Sequence, residues 1–469
     1  MSQKRFVLGW QSESETLPLL ERTKSGKLDS VTRSPHGMWN YMTYRDAINI
    51  LGMDPSRIYT DGRIDLDPEQ WADFGWMLCH CGPPRSAVRE MKKRTLPSNI
   101  NPYSPDLINP LRDLCAESVF KRRRGGDFEV IGTEGAQAGI SYVLNSFTDP
   151  GDEIIITDPG YFHFESAILM AGGIPVKTTL GAGNGFRLDP LEIEKLLSEK
   201  TKIIIVCDPI NPFGTVQKKE ELLSLIEIAR DNDIIIMNDI THNTHRIDPH
   251  SEHFPMSSLC KDTNTDNVVS IYSVSHGYGM AAVRIGFLAG HPDIMKACLT
   301  TKVSLTRLNT NLIAQYGALA ALKDDSYITE TEEIIRKNYH FIKDIVARTR
   351  GIEIPVEPSY GFSMVIDASG TGVTAQELTV SLFKRNIAVY PGDGLGDSGA
   401  TDYVRLNFSH PDQHALKRLE DSLGEAIEEA QTGIYTESVI RFFEQRQNER
   451  AGWILRELKN RAKNRQAAY

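Results

Sequence analysis

The sequence predicts an α/β protein: a large domain whose mostly parallel sheet is covered by helices on both faces, a smaller α+β domain, and an N-terminal extension. Three observations carry this. Between residues 128 and 290, near-continuous apolar runs recur as EIIIT, KIIIVC, DIIIMN and NVVSIY, the pattern of strands buried on both faces. The segments between them, such as GAQAGISYVLNSF and KEELLSLIEIARD, repeat their apolar residues with the period of an amphipathic helix. Each run ends in a turn rich in glycine, proline or hydroxyl residues, at the strand ends where open α/β sheets bind ligands.

In chain order, residues 1–78 form the extension, first polar and then aromatic, with Trp39, Tyr41, Tyr44, Trp71, Phe74 and Trp76 lacking clear periodicity. Such a segment either wraps over another domain or a partner subunit, or forms a small helical subdomain with its own aromatic core. Residues 79–325 form the large domain and residues 326–430 the small one. Within that region, 303–347 read as connecting helices, IEIPVEPSYGFSMVIDA as a strand pair, AQELTVSLFKRN as a helix, IAVYPG and YVRLNFS as strands, and PDQHALKRLEDSLGEAIEEA as a closing helix. The tail, 431–469, is helical and arginine-rich; it either meets an acidic partner or packs Phe442, Phe443, Trp453 and Leu455 against the protein.

The 469 residues are 40% hydrophobic and 24% charged, enough for a sizeable core in more than one domain. A net charge of -10 provides no basic stripe for nucleic acid and turns the expectation toward a small-molecule substrate. The first residues, MSQKRFVLGWQSESE, lack the apolar core of a signal peptide, and no run approaches the about 18 apolar residues of a membrane span. Six cysteines in so long a chain fit a reducing, cytoplasmic setting. Cys79-His80-Cys81 looks like half of a metal site, but no second pair stands at finger spacing, and buried thiols are the plainer reading.

Several turns carry chemistry. Residues 271–290, IYSVSHGYGMAAVRIGFLAG, combine Ser273 and Ser275 hydroxyls, glycines at 277, 279 and 286, and the planar fork of Arg284, a set suited to cradling an anion. Gly135, Ala136 and Gln137 follow a strand and open a helix, where free N–H groups and the helix dipole receive phosphate. Tyr161, after Asp158-Pro159-Gly160, offers an aromatic face. In Asp208-Pro209-Ile210-Asn211-Pro212-Phe213-Gly214, two X-Pro steps and a glycine fix a rigid loop around Asn211. Asp239 closes a buried strand, where a carboxylate needs a cationic or N–H partner. Arg405, in YVRLN, is a guanidinium on a strand, suited to bidentate recognition of a carboxylate.

These motifs, in this order from Cys79 to Glu429, resemble the class I and II aminotransferases, fold-type I enzymes that use pyridoxal 5'-phosphate (PLP). The family signature S-x-S-K-x-x-G-x-x-G-x-R-x-G is matched by Ser273, Ser275, Gly279, Arg284 and Gly286, with Ala282 for the middle glycine and His276 at the Schiff-base lysine. The resemblance implies a phosphate cup of Gly135, Ala136, Gln137, Ser273, Ser275 and Arg284. Tyr161 would stack on the pyridine ring, Asn211 would reach the phenolic oxygen, Asp239 would bind the pyridinium N–H, and Arg405 would bind the substrate α-carboxylate. Tyr103 takes the place of a tyrosine sent to the phosphate of the other subunit, which implies a homodimer. Asp208, Phe213 and Ile240 depart from the pattern, and His242 stands where the family has a tyrosine that also contacts the phenolic oxygen.

Imidazole has no primary amine with which to hold the cofactor covalently, but it titrates near neutrality and is a competent general base. The leading expectation is therefore an atypical enzyme that binds PLP or pyridoxamine phosphate (PMP) non-covalently. It would act on an amino acid or keto acid, with His276, Asp239 and His242 as catalytic groups, in elimination, decarboxylation or atypical transamination. The alternatives are a binding protein that has lost the chemistry, and a PLP-independent enzyme in which His242, His245, His276 and Asp239 gather a metal.

Overall fold

The computed structural model describes residues 41–60, 63–64, 66–263, 267–446 and 448–467, together with Lys27, Ser30 and Val31. Trp39 and the first residues, MSQKRFVLGWQSESE, lie outside the described residues.

Seven strands form the main sheet: β1 (Glu129–Thr133), β2 (Glu153–Asp158), β3 (Ile174–Thr179), β4 (Thr201–Cys207), β5 (Ile235–Asp239), β6 (Val268–Ser273) and β7 (Gly286–Gly290). Their order is β1-β7-β6-β5-β4-β2-β3. β7 runs antiparallel to both neighbours, and every other pairing is parallel. Helices α1 (Ala136–Phe147), α2 (His163–Ala171), α3 (Lys219–Asp231), α4 (Met256–Thr263) and α5 (Pro292–Thr306) connect or follow these strands. The apolar runs are continuous because alternate residues feed two different cores. Ile154, Ile156, Ile203 and Ile205 join Val143, Phe164 and Leu288 on one side. Ile155 and Ile204 join Leu222, Ile226 and Leu259 on the other.

Helices α6 (Leu312–Ala321) and α7 (Asp325–Arg348) lead to a three-stranded antiparallel sheet, β8 (Ser363–Asp367), β9 (Tyr390–Pro391) and β10 (Tyr403–Asn407), in the order β8-β10-β9. Helices α8 (Ala375–Lys384) and α9 (Gln413–Gln431) complete this unit. Ile335, Ile342, Met364, Leu378, Leu406 and Leu416 fill one shared core. The strand pair expected over IEIPVEPSYGFSMVIDA is in fact one strand. Residues 352–356 contribute only an isolated bridge, Glu353 to Asp367, because Pro355 has no N–H with which to extend a ladder.

The flanking segments pack on this smaller unit. The helix Tyr44–Leu51 and Trp71 bury against Phe383 and Ala388, and Ala72–Asp73 pairs in parallel with Ile387–Ala388. The tail forms α10 (Thr436–Glu444) and α11 (Glu449–Ala467), whose Phe442, Phe443, Ile454 and Leu458 meet Met42 and Val380. Leu455 reaches only the edge of that cluster, and Trp453 remains 38% exposed, because the buried stripe of α11 runs through positions 451, 454 and 458. Tail arginines close on the protein itself: Arg465 Nη2 lies 2.8 Å from the buried Glu377, and Arg450 Nη2 lies 2.6 Å from Asp397. No helix among the described residues is long and apolar enough to cross a membrane.

One buried lysine ties β1 to the connecting segments. Lys302 Nζ donates to Asp106 Oδ1, Gly132 O and Thr310 Oγ1, each at 2.7 Å, so all three ammonium protons are engaged. Removing one member of a buried pair leaves the other charge uncompensated. Lys302→Met is therefore expected to cost about 3 kcal/mol in urea unfolding, with Arg112 at 3.4 Å from Asp106 limiting the loss.

Candidate active site

The carboxyl ends of the parallel strands bring most of the sequence-predicted residues together. Asp239 ends β5, in register with Cys207 at the end of β4. Its carboxylate is 6% exposed, and Oδ1 accepts from the Thr241 N–H at 3.0 Å and from the Thr241 hydroxyl. Burial raises its pKa while the Thr241 bonds pull it back, and no cation pairs with it among the described residues. Tyr161 stands within its field: burial first, and then the Asp239 charge, hold the phenol above its ordinary range.

At the neighbouring strand ends, Thr133, Gly286 and Ser273 lie in register across β1, β7 and β6. Gly135, at φ 91°, precedes the first turn of α1, to which Ala136 and Gln137 belong. Arg284 Nη2 donates to Glu134 O at 2.9 Å and Nη1 to Ala281 O at 3.0 Å. A side chain at 135 has no room, since a Cβ there would come 2.3 Å from Arg284 Nη2. Ser273 Oγ accepts from the Ser275 N–H at 3.3 Å, and both serines are buried. The geometry thus gathers a helix N-terminus, two buried serines and a guanidinium at one point, an arrangement able to receive a phosphate.

His276 sits on the loop after β6, and its flanks are fixed by close packing. A Cβ at Gly277 would fall 2.1 Å from Thr244, and one at Gly279 would fall 2.7 Å from the Gly82 carbonyl carbon. His276 Nδ1 lies 2.6 Å from Met77 O. A carbonyl only accepts, so Nδ1 carries the proton and Nε2 keeps its lone pair. The His242 ring stacks on it at 4.9 Å and 26°. Burial lowers both pKa values; for His242 the charges of His276 and Arg405 add to this, and for His276 burial outweighs the opposing pull of the Met77 carbonyl, with Arg405 and Arg284 adding to the lowering. Both imidazoles are therefore neutral at neutral pH.

Arg405, on β10, is 4% exposed. Its Nη2 donates to Gly75 O at 3.0 Å, its Nη1 approaches Asn211 Oδ1 at 3.4 Å, and its guanidinium lies 4.4 Å over the Tyr390 ring. Nε has no partner and no carboxylate pairs with it among the described residues, which leaves a five-donor cation under-satisfied.

Tyr103 is not part of this cluster: it is 82% exposed on the surface. His245 turns Nε2 to Gly277 O at 2.7 Å, so the four-residue metal cluster is not assembled, and no group of three or more ligating side chains occurs among the described residues. In the Cys79-His80-Cys81 stretch, His80 stacks on His410 at 4.1 Å while Cys81 donates to Ser409 O. Two of the departures from the family pattern have structural reasons. Asp208 accepts from the Gln217 N–H and faces His253 at 3.3 Å, and Phe213 packs on Phe186 at 4.2 Å. The sequence reading missed Met77, whose carbonyl sets the His276 tautomer, and Tyr390, whose strand pairs it with Arg405. A backbone carbonyl leaves no sequence signal; Tyr390 left one only in hindsight, as the aromatic residue of IAVYPG.

Three comparisons bear on this arrangement. The model of the family Aminotransferase class I and II matches residues 79–423. The aspartate aminotransferase of Pyrococcus abyssi is 28% identical over 343 residues, covering 72% of this chain and 86% of that protein. Aromatic-amino-acid aminotransferase 2 of Thermococcus litoralis is 27% identical over 344 residues, with the same coverage of 72% and 86%. Among solved structures, a single mutant of Thermus thermophilus aspartate aminotransferase superimposes with a TM-score of 0.73 at 20% identity, covering 86% of this chain and 99% of that one, a likeness of fold.

The His242 and His276 pair makes a direct prediction. Because a charge on His276 depresses His242, His276→Gln is expected to raise the His242 pKa, read from the imidazole proton shifts in an NMR titration. In the unaltered protein both rings should titrate below the ordinary histidine value of about 6.5.

Proposed function

Because the chain belongs to the aminotransferase class I and II family, we propose that it binds PLP or PMP non-covalently and moves protons on an amino acid or keto acid held by Arg405. The observation that carries the reading is a buried Arg405, without a carboxylate partner among the described residues, in the same site as a neutral His276 whose Nδ1 is turned to a carbonyl.

The residues present fit the cofactor at two ends. The cup of Gly135, Ala136, Gln137, Ser273, Ser275 and Arg284 suits a phosphate, and the buried, unpaired Asp239 suits a ring N–H. They do not fit covalent attachment through a lysine: His276 has no amine, and Lys302 is fully buried with its three protons engaged. Tyr161, Asn211 and His242 are the remaining groups proposed to line the ring. When bound, the cofactor supplies an electron sink that acidifies the carbon next to the substrate nitrogen.

The chain's own residues then divide the work. Arg405 binds the carboxylate in a fork-to-fork pair that satisfies its open donors and fixes the substrate. His276 Nε2 takes a proton and returns it, and the Met77 carbonyl holds the ring and stabilises the imidazolium that forms. Burial, with smaller contributions from Arg405 and Arg284, keeps His276 neutral at rest, ready to accept. His242 stacks on it and, being neutral, adds no opposing charge. Asp239 would hold the ring N–H and so favour the protonated ring. Elimination and atypical transamination begin with this removal of a proton, whereas decarboxylation begins with loss of CO2 from the substrate and would use the same base to deliver a proton afterwards.

The proposal extends to a homodimer in which Tyr103 reaches the partner's phosphate cup, supported by a tyrosine that stands 82% exposed on each protomer. It also extends to a cytoplasmic setting, supported by cysteines that are all free thiols.

Purified protein titrated with PLP or PMP is expected to develop visible absorbance that shifts on addition of an amino acid. No spectral change at millimolar cofactor would overturn the cofactor reading and leave a binding protein or a cofactor-free enzyme. Solvent deuterium should enter the substrate, and His276→Ala should slow that exchange by about a hundredfold or more. Unchanged exchange would remove His276 from the mechanism.

A further inference from the structure

We infer that the substrate carries an aromatic side chain, and that Tyr41, from the segment preceding the family match, selects it together with Phe162 and Tyr390. The inference rests on the reading that Arg405 holds the substrate carboxylate.

The surface begins at the guanidinium itself. Arg405 lies 4.4 Å over the Tyr390 ring. From there the Tyr41 ring stands 5.9 Å from Tyr390 and 5.3 Å from Phe162, and Phe162 stands 6.3 Å from Tyr390. The three rings contact one another pairwise, and each remains only partly buried. Two of the pairs are tilted and one is stacked, arrangements in which aromatic rings attract one another, and an aromatic ligand could join them in the same way. The phenols of Tyr390, Tyr44, Tyr41 and Tyr161 all lie within electrostatic reach of Arg405, so the aromatic wall belongs to the carboxylate end of the site.

Tyr41 is held in place by its neighbour. The Met42 N–H donates to Asp393 Oδ2 at 2.8 Å, and the same fully buried carboxylate accepts from Gln376 Nε2 at 2.9 Å. The segment is therefore anchored where it joins the site, and the Tyr41 ring is presented from fixed backbone.

Charge argues in the same direction. A dicarboxylate would need a second free cation. Lys177 is engaged by Glu165 at 2.9 Å and Asp397 at 2.8 Å, and Arg450 by Asp397 at 2.6 Å. Arg446 lies 3.5 Å from Asp46 and 3.5 Å over the Phe442 ring. The acidic groups that reach the Tyr41 and Tyr390 phenols are Asp393 and Asp46, with Asp73 nearby accepting from Tyr44 Oη at 2.8 Å, an environment unfavourable to a side-chain carboxylate.

The test is calorimetric binding of hydrocinnamate, propionate and succinate to the full chain, a readout independent of turnover. Hydrocinnamate should bind about tenfold more tightly than succinate, and Tyr41→Ala should erase that preference while Tyr41→Phe keeps it. Succinate binding as tightly as hydrocinnamate, or Tyr41→Ala weakening all three ligands alike, would overturn the inference. Should Tyr41→Ala fail to fold, Phe162→Leu reads the same preference. Arg405→Ala separates the two readings: loss of all three ligands keeps the carboxylate site, whereas unchanged binding would overturn that site itself.

Discussion

A parallel sheet buried on both faces ends most of its strands at one edge, and the rest of this molecule is arranged around that edge. Backbone N–H groups and helix N-termini collect there without partners, which makes it the natural place for an anion. The antiparallel β7 returns to the same edge and sets Gly286 between Thr133 and Ser273. That register brings the Arg284 loop over the start of α1, where a side chain at 135 would have no room.

Electrostatics then decides the state of the groups gathered there. Asp239 and Arg405 are both buried and both lack an opposite charge among the described residues, so each is disposed toward a ligand that supplies one. The two histidines lie between positive groups and are held neutral by burial and by those charges. In the proposed reaction, a neutral imidazole with Nδ1 tied to a carbonyl would be the base, with Nε2 left to accept the proton. Lys302 shows why a lysine elsewhere in the chain is no substitute: an ammonium holding three acceptors at 2.7 Å is a structural bolt.

The segments outside the family match complete the site from behind. Residues 41–78 add a helix and a short parallel strand to the smaller unit, and the tail helices pack over Met42. These contacts place Tyr41 and the Met77 carbonyl beside Tyr390 and His276, so the extension contributes both one ring of the aromatic cluster and the acceptor that sets the His276 tautomer.

The sequence by itself determined the layered architecture, because doubly buried strands must be apolar throughout and strand-end turns must carry glycine, proline and hydroxyls. Its pattern also marked Gly135, Asp239 and Asn211 in the turns and ends of strands and Arg405 on a strand, and the structure places them there. It failed at residues 352–356, where apolar alternation looked like a strand but Pro355 denied it a ladder. It also left open the partners of His242, Tyr41 and Tyr390, and the fate of the tail arginines. Only the tertiary structure decided these, because such contacts join residues distant in the chain, such as Met77 with His276 and Tyr390 with Tyr41. Local periodicity records which face of an element is buried; it carries no record of what that face meets.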